Sequence, residues 1–362
     1  MANRDVSVPA KAPDRERWTG TIFAFLSTFL YAVSNVAIRY MTDADMIGSE
    51  VPHEWMLFYK ETIGLALLLP WLLLRWAQGR FQYCSKRLAL YVIFAAVICQ
   101  LIGARLQVLG YAVIGLIIAV PLIQASMLLG VAILGYCVFG DALSRNRQTA
   151  IVILIVAVTI LSIGKELTHT GGTGGQAVGA GVFLLVATGA VGAGIAFAIY
   201  IIMLRHVIRR YWKDNNSARL SFSFQHWVGH DHVQQPGERF YSPFPVTLAM
   251  AIVLAVGVVI FGMFLYGKHG STGFYDVPPI AWYCILISGI SNVLGFFFQV
   301  QGLRLTSAVQ ASLISVSQML LLSLIGYLFF QEAVNGLVMI GLGLTVYGVF
   351  MSARPENPGM EK

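Results

Sequence analysis

Long apolar runs, separated by short segments rich in charge, Gly or Pro, follow one another along the chain. The runs are continuous, which predicts helices, whereas the strands of a membrane barrel would alternate over about ten residues. A helix of about 20 apolar residues crosses a bilayer. We therefore predict ten transmembrane helices, over residues 18–40, 54–76, 88–112, 116–139, 148–165, 179–203, 244–266, 279–303, 306–330 and 335–353.

The composition supports an integral membrane protein. Only 11% of the 362 residues are charged and the mean hydropathy is +0.73, against about 25% charged residues in an average soluble protein. The net charge of +7 arises because acids are few (17 against 24 bases), so it does not indicate a nucleic-acid partner. We expect an all-α protein whose main surroundings are the lipid bilayer.

The basic residues predict an orientation. Nineteen of the 24 Lys and Arg residues fall in segments on the same side as the N-terminus, and the other side carries Lys165 and Lys268. Cytoplasmic segments carry the excess of Lys and Arg. We therefore expect both termini in the cytoplasm and the chain in the cell (inner) membrane.

The chain contains an internal repeat. Gln107-Val-Leu-Gly recurs as Gln299-Val-Gln-Gly, and the motif Gly-Tyr-x-x-Phe-x-acid-Ala at 135–142 recurs at 326–333. Five spans per repeat is an odd number, so the two copies must be inverted in the membrane. The predicted parts are an N-tail (1–17), a first five-helix repeat (18–170), a Gly-rich linker (171–178), a second repeat (179–353) with a cytoplasmic loop (204–243), and a C-tail (354–362).

These motifs resemble a known family. Residues 135–143 and the segment Phe-Phe-Gln-Glu-Ala at 329–333 are similar to the junctions after the fourth and ninth helices of EamA-type transporters, in the drug/metabolite transporter superfamily. The resemblance covers residues 18–353. It implies ten helices in two inverted halves and, most often, export of a metabolite from the cytoplasm.

Polar residues near mid-membrane depth are the candidates for a substrate cavity. They lie at helical spacing on four of the predicted spans, and the resemblance assigns these spans to the cavity. Ordinary hydrogen bonding between helices is the alternative interpretation of each residue. The candidates are Tyr31, Asn35, Gln100, Gln107, Asn292, Gln299, Gln310, Ser317 and Gln318.

Three charged residues lie inside predicted spans, where charges are costly and usually paired. Glu61 and Arg105 have similar depths, each about seven residues from one membrane boundary. They predict either a structural Glu61–Arg105 ion pair, with Lys60 reaching outward, or a protonatable coupling site at Glu61. In the second case protons are the coupling ion.

We predict a secondary active transporter that moves a small polar or amphipathic metabolite, amino-acid-like, by alternating access. A passive channel on the same scaffold is an alternative. A membrane enzyme using His226 and Asp231 is a weaker one, because supporting motifs are missing. No phosphate-binding loop or HExxH motif occurs, so no enzyme activity, cofactor or metal site is predicted. A monomer and a homodimer both remain open.

Overall fold

The computed structural model describes residues 14–49, 51–78, 86–139, 180–215, 244–274, 277–305, 308–332 and 334–353, with parts of 148–164. The side chains of 204–215 and 301–317 lie outside this description. All regular structure in the described residues is helical. The predicted all-α class is therefore confirmed for this part of the chain.

We label eleven α-helices of the described residues in chain order. Several of their ends match the predicted spans to within a few residues. They are α1 (Asp14–Met41), α2 (Ala44–Ile47), α3 (His53–Ala77), α4 (Lys86–Ile98), α5 (Arg105–Ile114), α6 (Leu116–Phe139), α7 (Ala180–Asn215), α8 (Phe244–His269), α9 (Pro279–Leu305), α10 (Ala308–Phe329) and α11 (Gly336–Ala353). A π-helical segment, Cys99–Ala104, joins α4 to α5, and a 3₁₀ turn, Ser271–Phe274, follows α8.

Seven helical stretches among the described residues are long and apolar enough to cross a membrane. They are α1, α3, the α4–α5 unit, α6, α7, α8 and α9. Two shorter apolar helices are Gln148–Ala157 and Gly336–Gly348. The chain is thus an integral membrane protein, while the count of ten spans stays a prediction.

Helix α7 extends into the segment 204–243, which the sequence predicts to be a cytoplasmic loop. The helix continues to Asn215, so the first part of that loop is helical. Its sequence there, from Arg205 to Lys213, holds helix-favouring Arg and Lys and neither Gly nor Pro. Residues 216–243, including His226, His230, Asp231 and His232, lie outside the described residues.

Local signals explain several helix ends. Asp43 accepts a hydrogen bond from the backbone N–H of Met46 (3.4 Å), and Gly48 ends α2 with a φ of 81°. Pro279 opens α9, where its missing N–H is no loss. The Asn335 Oδ1 accepts from the Val338 N–H (2.9 Å) at the start of α11. Each device satisfies backbone groups that a helix end leaves without a partner.

The helices pack against one another in a few main pairs. Helix α1 packs along α9 and also contacts α10, while α7 packs along α6 and the α4–α5 unit. Helix α3 packs on α8 and α9, and α8 also contacts α4. Contacts between α6 and α10 connect the two halves of the chain.

The best-packed core lies at one end of the bundle, where α1 and α5 end and α3 and α6 begin. We call it the Glu332 end, because Glu332 lies there. The large side chains that are almost completely buried all belong to it. They are Met41, Trp55, Met56, Leu57, Tyr111, Ile114, Leu116, Ile117, Ile118, Leu122 and Phe261. Smaller clusters of buried apolar residues, such as Val92 with Ala96, Ala249 and Val253, lie outside this core.

Candidate functional site

Predicted cavity residues of α1 meet predicted residues of α5 and α9. The Tyr31 hydroxyl donates to Gln299 Oε1 (3.0 Å). Gln107 Nε2 lies 3.4 Å from Asn35 Oδ1 and 2.6 Å from the Tyr111 hydroxyl. Four of the predicted residues therefore form two polar contacts between helices.

The approach of α1 to α9 depends on small residues. The hydroxyls of Ser34 and Ser288 lie 2.9 Å apart, and both side chains are buried. At Gly295 an added Cβ would lie in ordinary van der Waals contact with Tyr31, 3.4 Å from its Cδ1. Small side chains let helix backbones come close in membranes, and here they bring Tyr31 and Gln299 within hydrogen-bonding distance.

Gln100 lies in the π-helical segment Cys99–Ala104, in the middle of the α4–α5 unit. Its Nε2 donates to the Val253 carbonyl of α8 (3.4 Å), and the residue is buried. Short π-helical segments inside α-helices are frequent at functional sites. The apolar pattern of the sequence gives no sign of this segment, so the prediction missed it.

Lys60 and Glu61 form an ion pair inside the bundle. Lys60 Nζ lies 3.2 Å from Glu61 Oε1, and the side chains are only 9% and 3% exposed. An added Cβ at Gly257 would lie 2.8 Å from Glu61 Cγ and 2.9 Å from Gln100 Nε2. The glycine therefore lets α8 approach both Glu61 and Gln100.

The predicted Glu61–Arg105 pair is replaced by two other arrangements. Arg105 lies 3.4 Å from Glu54 Oε1, which Lys268 also approaches (3.6 Å). The guanidinium also lies over the Phe264 ring, with Cζ 4.4 Å from the ring centroid. Similar depth alone does not decide the pairing, because each residue has a nearer partner. Arg105 pairs with Glu54, close to the start of α3, and Glu61 pairs with the adjacent Lys60. Lys60 turns into the bundle instead of outward.

The remaining predicted residues have separate positions. Asn292 is half-buried on α9, and Gln318 is buried on α10. The backbones of Gln310 and Ser317 belong to α10, but their side chains lie outside the described residues. The structure thus brings together the polar residues of α1, α5 and α9, with Gln100 beside the Lys60–Glu61 pair.

Glu332 connects elements that are far apart in sequence. Its carboxylate oxygens accept hydrogen bonds from the backbone N–H groups of Leu116 and Ile117, each at 2.9 Å. Arg39 Nε lies 3.2 Å from Glu332 Oε1. A carboxylate is favourable at a helix N-terminus because free N–H groups and the helix dipole attract negative charge. Glu332 therefore joins the C-terminal end of α1 to the N-terminal end of α6.

Gly115 makes room for this contact. Its φ is +75°, and an added Cβ would lie 2.5 Å from the carboxylate carbon of Glu332. Gly326 is also close, with an added Cβ 3.0 Å from Glu332 Oε2. The repeat had identified Gly326 and Glu332 as a motif, but it gave no indication that the carboxylate binds the other half of the chain.

An aromatic cluster covers the same end of the bundle. Trp55 Nε1 and the Tyr59 hydroxyl both donate to the Phe274 carbonyl, at 3.3 and 3.1 Å. The Trp282 ring stacks edge-on against Trp55 and Tyr59, with centroids 4.8 and 4.6 Å apart. These contacts attach the segment between α8 and α9 to the start of α3.

Comparison with solved structures supports the fold. Twenty-two solved chains match the structure. One of them, a crystal structure described only as that of a protein, has a TM-score of 0.56 at 14% sequence identity. The match covers 92% of this chain and 97% of that chain. At this identity the similarity concerns the fold alone.

Comparison with protein families finds a match in the second half of the chain. No protein of curated function matches the chain. Residues 237–354, which include α8 to α11, match the EamA-like transporter family. The match confirms the resemblance predicted from the sequence motifs and is consistent with the drug/metabolite transporter superfamily. The chain is therefore an integral membrane protein whose second half is similar to the EamA-like transporter family.

Proposed function

We propose that the protein is a secondary active transporter that moves a small polar, amino-acid-like metabolite by alternating access of two inverted halves. The direction we propose is export from the cytoplasm. The observation that carries the proposal is the order of helix packing, which keeps its main pairs when the two halves are exchanged.

Exchanging the two halves of the chain replaces each span of the first half by its counterpart in the second half. It relates α1 to α7, α3 to α8, the α4–α5 unit to α9, and α6 to α10. Packing of α1 on α9 then corresponds to packing of α7 on the α4–α5 unit, and α1 on α10 to α7 on α6. The α3–α8 and α6–α10 contacts correspond to themselves. Such a relation supports an inverted repeat, the architecture in which one half moves against the other around a central site.

Gly103 and Gly295 lie four residues before the repeated Gln107 and Gln299, and they have corresponding surroundings. An added Cβ at Gly103 would lie 2.8 Å from the Phe197 ring of α7, and one at Gly295 would lie 3.4 Å from Tyr31 of α1. Since α1 and α7 are exchanged by the same relation, the two glycines face corresponding helices, and at Gly103 the approach is too close for a Cβ. This agreement is consistent with the packing order.

The distribution of the core supports a specific conformation. The largest buried side chains, the aromatic cluster and the Glu332 contacts all lie at one end. The bias of Lys and Arg assigns this end to the outside of the cell. We therefore propose that the described conformation is closed toward the outside and that both termini are cytoplasmic. Opening the Glu332 end then gives the opposite state.

The polar groups inside the bundle support the substrate class. Amide, hydroxyl and phenol groups at Tyr31, Asn35, Gln107 and Gln299 offer donors and acceptors without net charge. A phosphorylated substrate would require several cations in the cavity. Neutral or zwitterionic solutes fit this set better.

Counterflow tests the proposal against a channel. Purified protein is reconstituted into liposomes loaded with an unlabelled mixture of neutral L-amino acids, and labelled amino acids are added outside. A carrier accumulates label transiently because the internal substrate drives exchange, whereas a channel does not. Flux without trans-stimulation contradicts the proposal.

The membrane-enzyme alternative has its own test. His226→Ala with Asp231→Ala leaves counterflow unchanged if the protein is a transporter. Loss of a lipid-modifying activity in this variant, with no transport by the wild type, would favour the enzyme.

A further inference from the structure

The centre of the bundle contains a buried pair of opposite charges. Lys60 and Glu61 are adjacent on α3, and their charged groups lie 3.2 Å apart. Both side chains are more than nine-tenths buried. A buried ion pair is weak as a source of stability, because desolvation of both charges offsets most of their attraction. The buried position of this pair is therefore better explained by a role other than stabilising the fold.

One carboxylate oxygen of the pair has no partner. Glu61 Oε2 is fully buried and accepts no hydrogen bond from the described residues. Gln100 lies beside the Glu61 carboxylate, and one N–H of its Nε2 donates to the Val253 carbonyl. A buried oxygen of an ionised carboxylate that lacks a donor is costly. A ligand with an N–H group would satisfy it.

The groups around the pair form a polar site contributed by several helices. Cys99 lies near Glu61 and Lys60. Tyr200 lies near Glu61, Cys99 and Tyr31. These residues belong to α1, α3, α7 and the π-helical segment. Beyond Lys60 and Glu61, the groups named here are uncharged amide, phenol and thiol groups.

Charge balance selects the ligand class. Lys60 and Glu61 together are neutral, so a ligand with net charge would leave an uncompensated charge inside the membrane, which is expensive. A zwitterion adds one charge of each sign. It can therefore complement both members of the pair and keep the site neutral.

We propose that Lys60 and Glu61 bind the charged groups of a zwitterionic amino acid, whose ammonium contacts Glu61 Oε2 and whose carboxylate contacts Lys60 Nζ. The proposal rests on the transporter function proposed above and deepens it. Without substrate, the two side chains neutralise each other. With substrate, each exchanges part of this contact for the opposite charge of the ligand.

Binding to the purified full-length protein tests the site. The probes are L-leucine, L-threonine and L-glutamine, each compared with its amide, which lacks the carboxylate, and its N-acetyl form, which lacks the ammonium. We expect at least one free amino acid to bind, and both capped forms of it to bind about tenfold more weakly or worse, because each loses a charge-assisted hydrogen bond.

Variants assign each contact. Glu61→Gln weakens binding of the free amino acid about tenfold and leaves binding of its N-acetyl form nearly unchanged, because that form has no ammonium to lose. Lys60→Met also weakens binding of the free amino acid about tenfold, but it leaves binding of the amide nearly unchanged, because the amide has no carboxylate to lose. The double variant Lys60→Met with Glu61→Gln leaves no buried charge and provides a folded reference. Lys268→Met, at an exposed lysine, is the matched control and keeps wild-type selectivity.

Each contrary outcome is distinct. Capped forms that bind as well as the free amino acid overturn the proposal, as does the absence of binding by every probe. Glu61→Gln that keeps wild-type selectivity but loses pH-driven accumulation makes Glu61 a proton site instead. The transporter function fails on a separate measurement, flux without trans-stimulation in the counterflow assay, so the two failures can be told apart.

Discussion

Arg39 Nε lies 3.2 Å from Glu332 Oε1, and this contact joins the end of α1 to the segment that follows α10. The same carboxylate accepts the N–H groups of Leu116 and Ile117. Three elements distant in sequence therefore meet at one buried carboxylate. In the proposed transport cycle this is the contact that must break when the outer end opens.

Glu332→Gln should destabilise the described conformation more than Arg39→Gln. The glutamine directs an NH₂ group toward a backbone N–H that now has an oxygen partner, and Arg39 loses its charge partner. We expect a loss of about 1–3 kcal/mol in the free energy of unfolding for Glu332→Gln. Arg39→Gln leaves both backbone contacts in place and should cost less. Thermal unfolding in detergent measures both, and equal effects would contradict the role given to the N–H contacts.

Gly115→Ala should be strongly destabilising. Gly48 provides a reference, because its backbone is left-handed helical (φ 81°, ψ 1°) and an added Cβ there meets nothing within 4 Å. Gly48→Ala therefore measures the cost of a left-handed residue, about 1–2 kcal/mol. Gly115 has ψ of 174°, a conformation that essentially only glycine adopts, so Gly115→Ala adds a larger backbone cost and a clash with Glu332. A melting temperature for Gly115→Ala no lower than that of Gly48→Ala would contradict the proposed fit.

The pairing of Arg105 can be measured by a double-mutant cycle. The structure predicts coupling between Glu54→Gln and Arg105→Gln, and none between Glu61→Gln and Arg105→Gln. The Arg105 side chain is 39% exposed, so we expect a coupling of about 0.2–1 kcal/mol. Chemical or thermal unfolding of the two cycles provides the comparison. Coupling confined to the Glu61 cycle would restore the original sequence prediction.

Tyr31→Phe removes only the hydroxyl that donates to Gln299. If this polar contact belongs to the substrate path, the variant folds normally and its counterflow rate falls about fivefold, the effect of losing one hydrogen bond of about 1 kcal/mol. Tyr266→Phe is the control, because Tyr266 is exposed near the end of α8. Normal transport by Tyr31→Phe would make the contact a packing feature.

The sequence predicted what depends on local pattern. Apolar runs bounded by charge or Pro located helices such as α6, whose bounds Leu116–Phe139 were predicted to the residue. Helical spacing placed Tyr31, Gln107 and Gln299 on faces that meet. Such features follow from the chain's own periodicity.

The sequence could not predict what depends on tertiary geometry. Depth alone matched Glu61 with Arg105, but the rotation of α3 and the position of Glu54 at its start decided the actual pairs. The π-helical segment around Gln100 and the contact of Glu332 with Leu116 are likewise set by neighbouring helices. A motif marks such residues as candidates, but it does not identify their partners.

Accessibility of Cys99 from the two membrane sides tests alternating access most directly. Cys99 is buried in the π-helical segment near the centre of the bundle, and replacing Cys84, Cys137 and Cys284 by Ser leaves it as the only thiol. A membrane-impermeant thiol reagent is applied to vesicles of either orientation. We predict that this protein reacts faster from the cytoplasmic side and that adding Glu332→Gln increases reaction from the outer side. Equal reaction from both sides, no reaction in either protein, or no effect of Glu332→Gln would contradict the account.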